Sequence, residues 1–86
     1  MAVFLISYDL RKPSHNYEPL YAALKEIKAT QMQDSVWGVN STCTAKEIYD
    51  FLWRYMHDQK DRLFVITFDK TQEFYSMNSL GQFSEL

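Results

Sequence analysis

Apolar residues cluster in two continuous runs near the ends of the chain, with two amphipathic stretches and a short mixed segment between them. Val3 to Tyr8 (VFLISY) combines β-branched and aromatic residues, is too short for a typical helix, and stops at the charged stretch Asp9–Lys12. Arg62 to Phe68 (RLFVITF) repeats the pattern and stops at Asp69 and Lys70. Neither run alternates, so both read as strands buried on both faces and central in their sheet.

Between them, Leu20, Ala23, Leu24 and Ile27 follow the i, i+3, i+4, i+7 spacing of a helix face, while Lys25, Glu26 and Lys28 fall on the opposite side. Pro13 to Asn16 breaks the preceding pattern, Asn16 is placed to cap this helix, and Pro19 is early enough not to remove an internal hydrogen bond. Ile48, Phe51, Leu52, Tyr55 and Met56 give a second, more aromatic stripe, off which Trp53 and Arg54 fall. Thr44 to Glu47 (TAKE) is a capping box that opens it. Thr30 to Asn40 contains the strand formers Val36, Trp37 and Val39 and reads equally as one bent strand or two.

The order strand, helix, strand region, helix, strand predicts an α+β, ferredoxin-like βαββαβ sandwich over residues 1–70, with the first and last strands central and both helices on one face. Residues 71–86 carry Phe74, Tyr75, Met77, Leu80, Phe83 and Leu86 without a clear period. They read as a C-terminal arm that folds back or covers a partner subunit.

Composition narrows the function classes. The 86 residues suit one domain, because a chain of this size buries only about 60–65% of its unfolded surface. With 47% apolar and 16% aromatic residues it is not a disordered chain, and dimerisation would add to a modest core. Nine Lys and Arg against eleven Asp and Glu, a net charge of −2, supply no global positive field, so any contact with nucleic acid must be local. Cys43 is the only cysteine, which excludes an internal disulfide and a thiolate zinc site and fits a reducing, cytoplasmic setting. The opening MAVFLIS lacks a basic leader and meets Asp9 too soon for a signal or a membrane span.

Chemistry-bearing residues are few. Asp9 ends the first strand, where it serves either as a turn residue bonded to nearby backbone or as a ligand for a hard cation, the latter only with waters, phosphate oxygens or a second copy across a two-fold axis. Arg11 and Lys12 are solvated loop cations or phosphate contacts, with Tyr8 or Tyr17 available to stack a base. His15 and His57 read as surface histidines, and Cys43 has no adjacent base. Gly38 and Gly81 are the only glycines, so there is no phosphate-binding loop.

VFLISYDL, the amphipathic helix, QMQDSVWGV, the capped second helix and DRLFVITF together resemble the CRISPR-associated protein two family and its relatives, the SinR-like proteins and virulence-associated protein D. The SinR-like branch is the nearest in SYDLRKP (Ser7–Pro13) and in the spacing of Tyr17, Leu20 and Tyr21. Ser35, Val36 and Trp37 look like that family's Ser-Val-Phe segment, although Gln31 stands where the family often has arginine.

The resemblance implies a homodimer in which two copies of Asp9 meet at the axis and share Mg2+ or Mn2+ for hydrolysis of RNA or DNA, with Tyr8, Arg11 and Lys12 on the nucleic acid. Other members are non-catalytic. The alternative expectation is therefore a dimeric module that binds a protein or nucleic acid in a phage, plasmid or defence setting.

Overall fold

In a computed structural model, which describes residues 1–86, the chain forms an α+β sandwich. The elements are β1 (Ala2–Asp9), α1 (Glu18–Glu26), β2 (Thr30–Gln33), β3 (Val36–Ser41), α2 (Ala45–Trp53) and β4 (Arg62–Thr67), followed by a 3-10 turn at Phe83–Glu85. One four-stranded antiparallel sheet has the order β2-β3-β1-β4, and both helices contribute to a core on one of its faces. This architecture is compatible with a small ferredoxin-like fold. No helix is long and apolar enough to cross a membrane.

The order corrects one expectation. β1 is central, but its neighbours are β3 and β4, and β4 lies at the edge. Nor is either apolar run buried on both faces. Along β1, Phe4, Ile6 and Tyr8 are buried while Val3, Leu5 and Ser7 are only half-buried. Along β4, Leu63 and Val65 pack against the core, whereas Phe64 and Ile66 are 56% and 46% exposed. An edge strand has only one neighbour, so hydrophobic residues on its outer face need not find cover.

The helical stripes land as their spacing predicts. Leu20, Ala23 and Leu24 of α1 and Ile48 and Leu52 of α2 are buried with Phe4, Ile6, Tyr8, Trp37 and Val39. The capping box forms, with Glu47 N–H donating to Thr44 Oγ1 at 3.1 Å and Thr44 N–H donating to Glu47 Oε1 at 2.9 Å. Asn16 Oδ1 accepts from Glu18 N–H at 3.1 Å, so it ties down the helix entrance from one residue before the cap position, which Tyr17 occupies.

At the other end of α1, Ala29 N–H reaches Leu24 O and Lys28 N–H reaches Lys25 O, both at 3.0 Å. This pair is a Schellman closure, and it holds Lys28 at φ 61°, the left-handed conformation that glycine usually supplies.

Thr30 to Asn40 resolves into two strands. Asp34 and Ser35 form the two-residue turn, and a register shift between Gln31 and Gln33 bulges β2. The arm folds back over the face of the sheet away from the helices. Phe68, Phe74 and Phe83 cluster in tilted and edge-to-face contacts, and with Met77 they line a cleft over Leu5, Met32 and Val36.

Leu80 N–H then donates to Met32 O at 3.0 Å on the outer edge of β2, and Leu86 is buried against Gly38. A Cβ at Gly38 would come within 2.6 Å of Leu86 Cδ1, and one at Gly81 within 2.8 Å of Gln31 O. At Gly81 the obstacle is backbone, so the arm's close approach needs that glycine, whereas a side chain at Gly38 would displace the Leu86 methyl groups.

Candidate nucleic-acid interface

β1 alternates strictly, so the residue after buried Tyr8 points to the face the helices do not cover. That residue is Asp9, exposed at the strand's end. The antiparallel register sets Arg62, the first residue of β4, directly opposite. Arg62 Nη1 donates to Asp9 Oδ2 at 2.9 Å, and Arg11 Nη1 approaches the same oxygen at 3.4 Å. All three side chains are about half exposed or more. Two guanidiniums thus share one carboxylate, and Lys12 in the following loop adds a third cation nearby in sequence. The chain is acidic overall but locally positive here.

A second layer fixes the loop that carries Arg11 and Lys12. Asp61, adjacent to Arg62, accepts from Arg11 N–H at 2.6 Å, from Tyr17 Oη at 2.7 Å and from His57 N–H at 2.7 Å. Lys12 N–H in turn donates to Tyr17 Oη at 3.2 Å. Asp61 thus anchors the Arg11 backbone from 50 residues away, and Tyr17, itself held by Asp61 44 residues on, anchors that of Lys12.

Partial burial by itself raises the Asp61 carboxyl. The donors Arg11, Tyr17 and His57, with the nearby His15, outweigh that and hold it below its ordinary value. Burial and the hydrogen bond to Asp61 raise the Tyr17 phenol. His15 packs beside Tyr17 and donates from Nε2 to Tyr55 O at 3.1 Å, while His57 Nδ1 accepts from Lys60 N–H. Both histidines are loop-closing residues.

Tyr8 departs from its expected role. It is only 6% exposed, accepts from Trp37 Nε1 at 3.0 Å and donates to Asp34 O at 3.2 Å. Burial raises its phenol, outweighing the opposing effect of the hydrogen bond from Trp37. The ring is a core element that fastens the β2–β3 turn to β1, and it offers no open face for a base. Cys43 is exposed, two residues after β3, with its N–H held by Ser41 Oγ.

Sequence reading overlooked Arg62 and Asp61. The signal was available in outline, since an antiparallel neighbour of β1 must begin where β1 ends, and that places Arg62 beside Asp9.

The donors do not suit a divalent cation within one chain. Mg2+ and Mn2+ require several oxygen ligands, but Asp9 is already shared by two guanidiniums and the Asp61 carboxylate is filled by its own donors. No group of three or more His, Cys, Asp or Glu is positioned to hold a metal. No family model matches the chain.

Proposed function

We propose that this protein is a small homodimeric nucleic-acid-binding module of the CRISPR-associated protein two type, which grips a phosphodiester backbone at the Asp9–Arg11–Arg62 cluster. The observation that carries this reading is the convergence of two exposed guanidiniums on one strand-end carboxylate. Arginine presents a rigid fork matched to phosphate oxygens, and Asp9 holds both forks toward the same space. Lys12 adds a point charge, and the Asp61–Tyr17 pair keeps the loop in place before any ligand arrives. With no global positive field, binding is local and strongly weakened by salt.

The test is fluorescence anisotropy with labelled single-stranded RNA and duplex DNA at low and moderate salt, with Mg2+ and with chelator. Arg11→Ala and Arg62→Ala are each expected to weaken binding about tenfold and to lower the salt slope by about one. Asp9→Asn, which removes the only negative charge of the cluster, should retain binding. Absence of binding to both probes at low salt would overturn the proposal.

The same samples test metal-dependent hydrolysis. That second reading is supported by the exposure of Asp9 on the open face, where a second copy could approach it. Cleavage that disappears both in chelator and in Asp9→Asn would replace the binding module with the nuclease.

A further inference from the structure

A cleft of about 280 Å³ separates the arm from the open face of the sheet. Alternation along the strands builds its floor: Leu5 of β1 and Val36 of β3 project from the face that the helices leave uncovered, and Met32 of β2 joins them. Leu5 and Asp9 share that face but stand four residues apart, about 13 Å along the strand, so the cleft is separate from the charged cluster. Protein interiors leave few voids larger than a water molecule, and the arm leaves this one open.

None of the eleven lining residues carries a charge and eight are hydrophobic, so an ion entering the cleft would lose its water without gaining a partner. Phe68, Phe74 and Phe83 form one wall. Their ring centroids lie 4.7 to 5.7 Å apart in tilted and edge-on contacts, an arrangement to which a further aromatic ring adds readily. Met32 and Met77 supply polarizable thioethers, which favour ring edges and adapt to irregular shapes.

The mouth is incompletely covered. Tyr75 and Met77 border the cleft yet are 88% and 83% exposed. Tyr75 gives its hydroxyl to Glu73 Oε1 at 2.5 Å, which leaves its ring as the surface available to a ligand. Ser79 Oγ is committed in the same way, to Gly81 O at 2.9 Å. Gln33 and Ser76 remain as polar side chains for a hydrogen bond to whatever enters.

We infer that this cleft binds a small neutral aromatic molecule of one or two fused rings, carrying a single hydroxyl or ring N–H. Its volume falls at the lower end for ligand sites, about 300 Å³, which leaves no room for a nucleotide or a peptide strand. The uncharged lining selects against carboxylates, phosphates and amines. A ring held here touches arm and sheet at once and ties the two together. With about ten heavy atoms in a half-open site, the expected Kd is roughly 0.1 to 1 mM.

Indole is the probe, titrated into the full chain while the methyl resonances are followed by NMR. Saturable shifts are expected at Leu5, Met32, Val36 and Met77. Indolecarboxylate, anionic at neutral pH, should bind at least about tenfold more weakly. Val36→Phe places a ring of its own on the floor and should weaken indole by about tenfold with circular dichroism unchanged. Met77→Ala, at a position exposed enough not to affect folding, should weaken it about threefold, and carries the test if Val36→Phe fails to fold. The Leu80 N–H, which donates to Met32 O, reports opening of the arm; its exchange should slow about tenfold when indole stands at about ten times its Kd.

No saturable shift, equal affinity for indole and its carboxylate, or binding indifferent to both substitutions would each overturn the inference. Binding that leaves Leu80 exchange unaltered would do the same, because the ligand would then lie outside the cleft. None of these readouts depends on nucleic acid.

Discussion

Tyr8 and Asp61 show how much one polar group can organise. Tyr8 lies in the core strand, and its hydroxyl satisfies both the Trp37 indole N–H and the Asp34 carbonyl. A buried aromatic with a polar tip must find such partners, or it leaves a donor unpaired at a cost of about 1–3 kcal/mol. Asp61 does the corresponding work at the surface, holding the Arg11 and His57 backbones and the Tyr17 phenol.

Its carboxyl titrates below its unfolded value despite partial burial, because its donors favour the charged form. The sign follows: the stability it brings is complete above about pH 4 and is lost as pH falls through the lower folded value. Asp61→Asn is therefore expected to destabilise the fold at pH 7 by about 1–2 kcal/mol, the scale of hydrogen bonds to a charged group reduced for solvent screening. The difference in melting temperature from the wild type should narrow below pH 4. A constant difference from pH 3 to pH 7 would assign the loss to shape instead of charge.

At this scale the sequence was legible for Asp9, whose strand-end position is visible in the pattern, and illegible for Asp61. Partners 44 to 50 residues away leave no local mark.

Among the elements, helices were the easiest to read and strands the hardest. Periodicity fixed the buried faces of α1 and α2, and the TAKE motif fixed the start of α2. The end of α2 is less regular. Tyr55 and Met56 N–H groups bond back three residues to Leu52 and Trp53, so the stripe finishes in a tightened turn beyond the helix.

A run of apolar residues in β4 could not distinguish a central strand from an edge strand with uncovered hydrophobics. Burial on two faces and burial on one, with an exposed apolar face, give the same letters. The closure of α1 was also hidden, since Lys28 is not a residue type that announces a left-handed position. Lys28→Gly should remove that conformational cost and raise stability by about 0.5–1 kcal/mol in denaturant titration. A loss of stability would mean that the lysine side chain contributes more than its backbone strain removes.

For the whole molecule, the arm supplies what a small sheet-and-helix core lacks. Only 14 of 86 residues are buried, and one of them is Leu86, seated on Gly38 beneath the sheet. Without the arm, both the face containing Leu5 and Val36 and the outer edge of β2 would lie open. The arm is attached at few points: the phenylalanine cluster, Leu80 on Met32, Leu86 on Gly38, and Lys70 Nζ donating to Leu86 O.

Gly81→Ala places a methyl group against Thr30 Cγ2 and Gln31 O, and should loosen this attachment while sparing the helices. The expected result is faster proteolysis and faster amide exchange confined to residues 71–86 and β2. Unchanged exchange at Met32 and Leu80 would show that the backbone accommodates the methyl group. The arm's destination was not legible in its sequence, because aromatic residues without a period specify burial but not a surface.

The two indoles sit in opposite surroundings, and this gives the molecule two separate optical reporters. Trp37 is sealed in the core with its N–H given to Tyr8, whereas Trp53 stands nearly half in water beside Leu63. Fluorescence from the folded chain therefore divides into a dry, fixed component that iodide cannot reach and a wet component that it quenches. Loss of the first tracks unfolding of the sandwich, and the second reports on the exposed end of α2 alone.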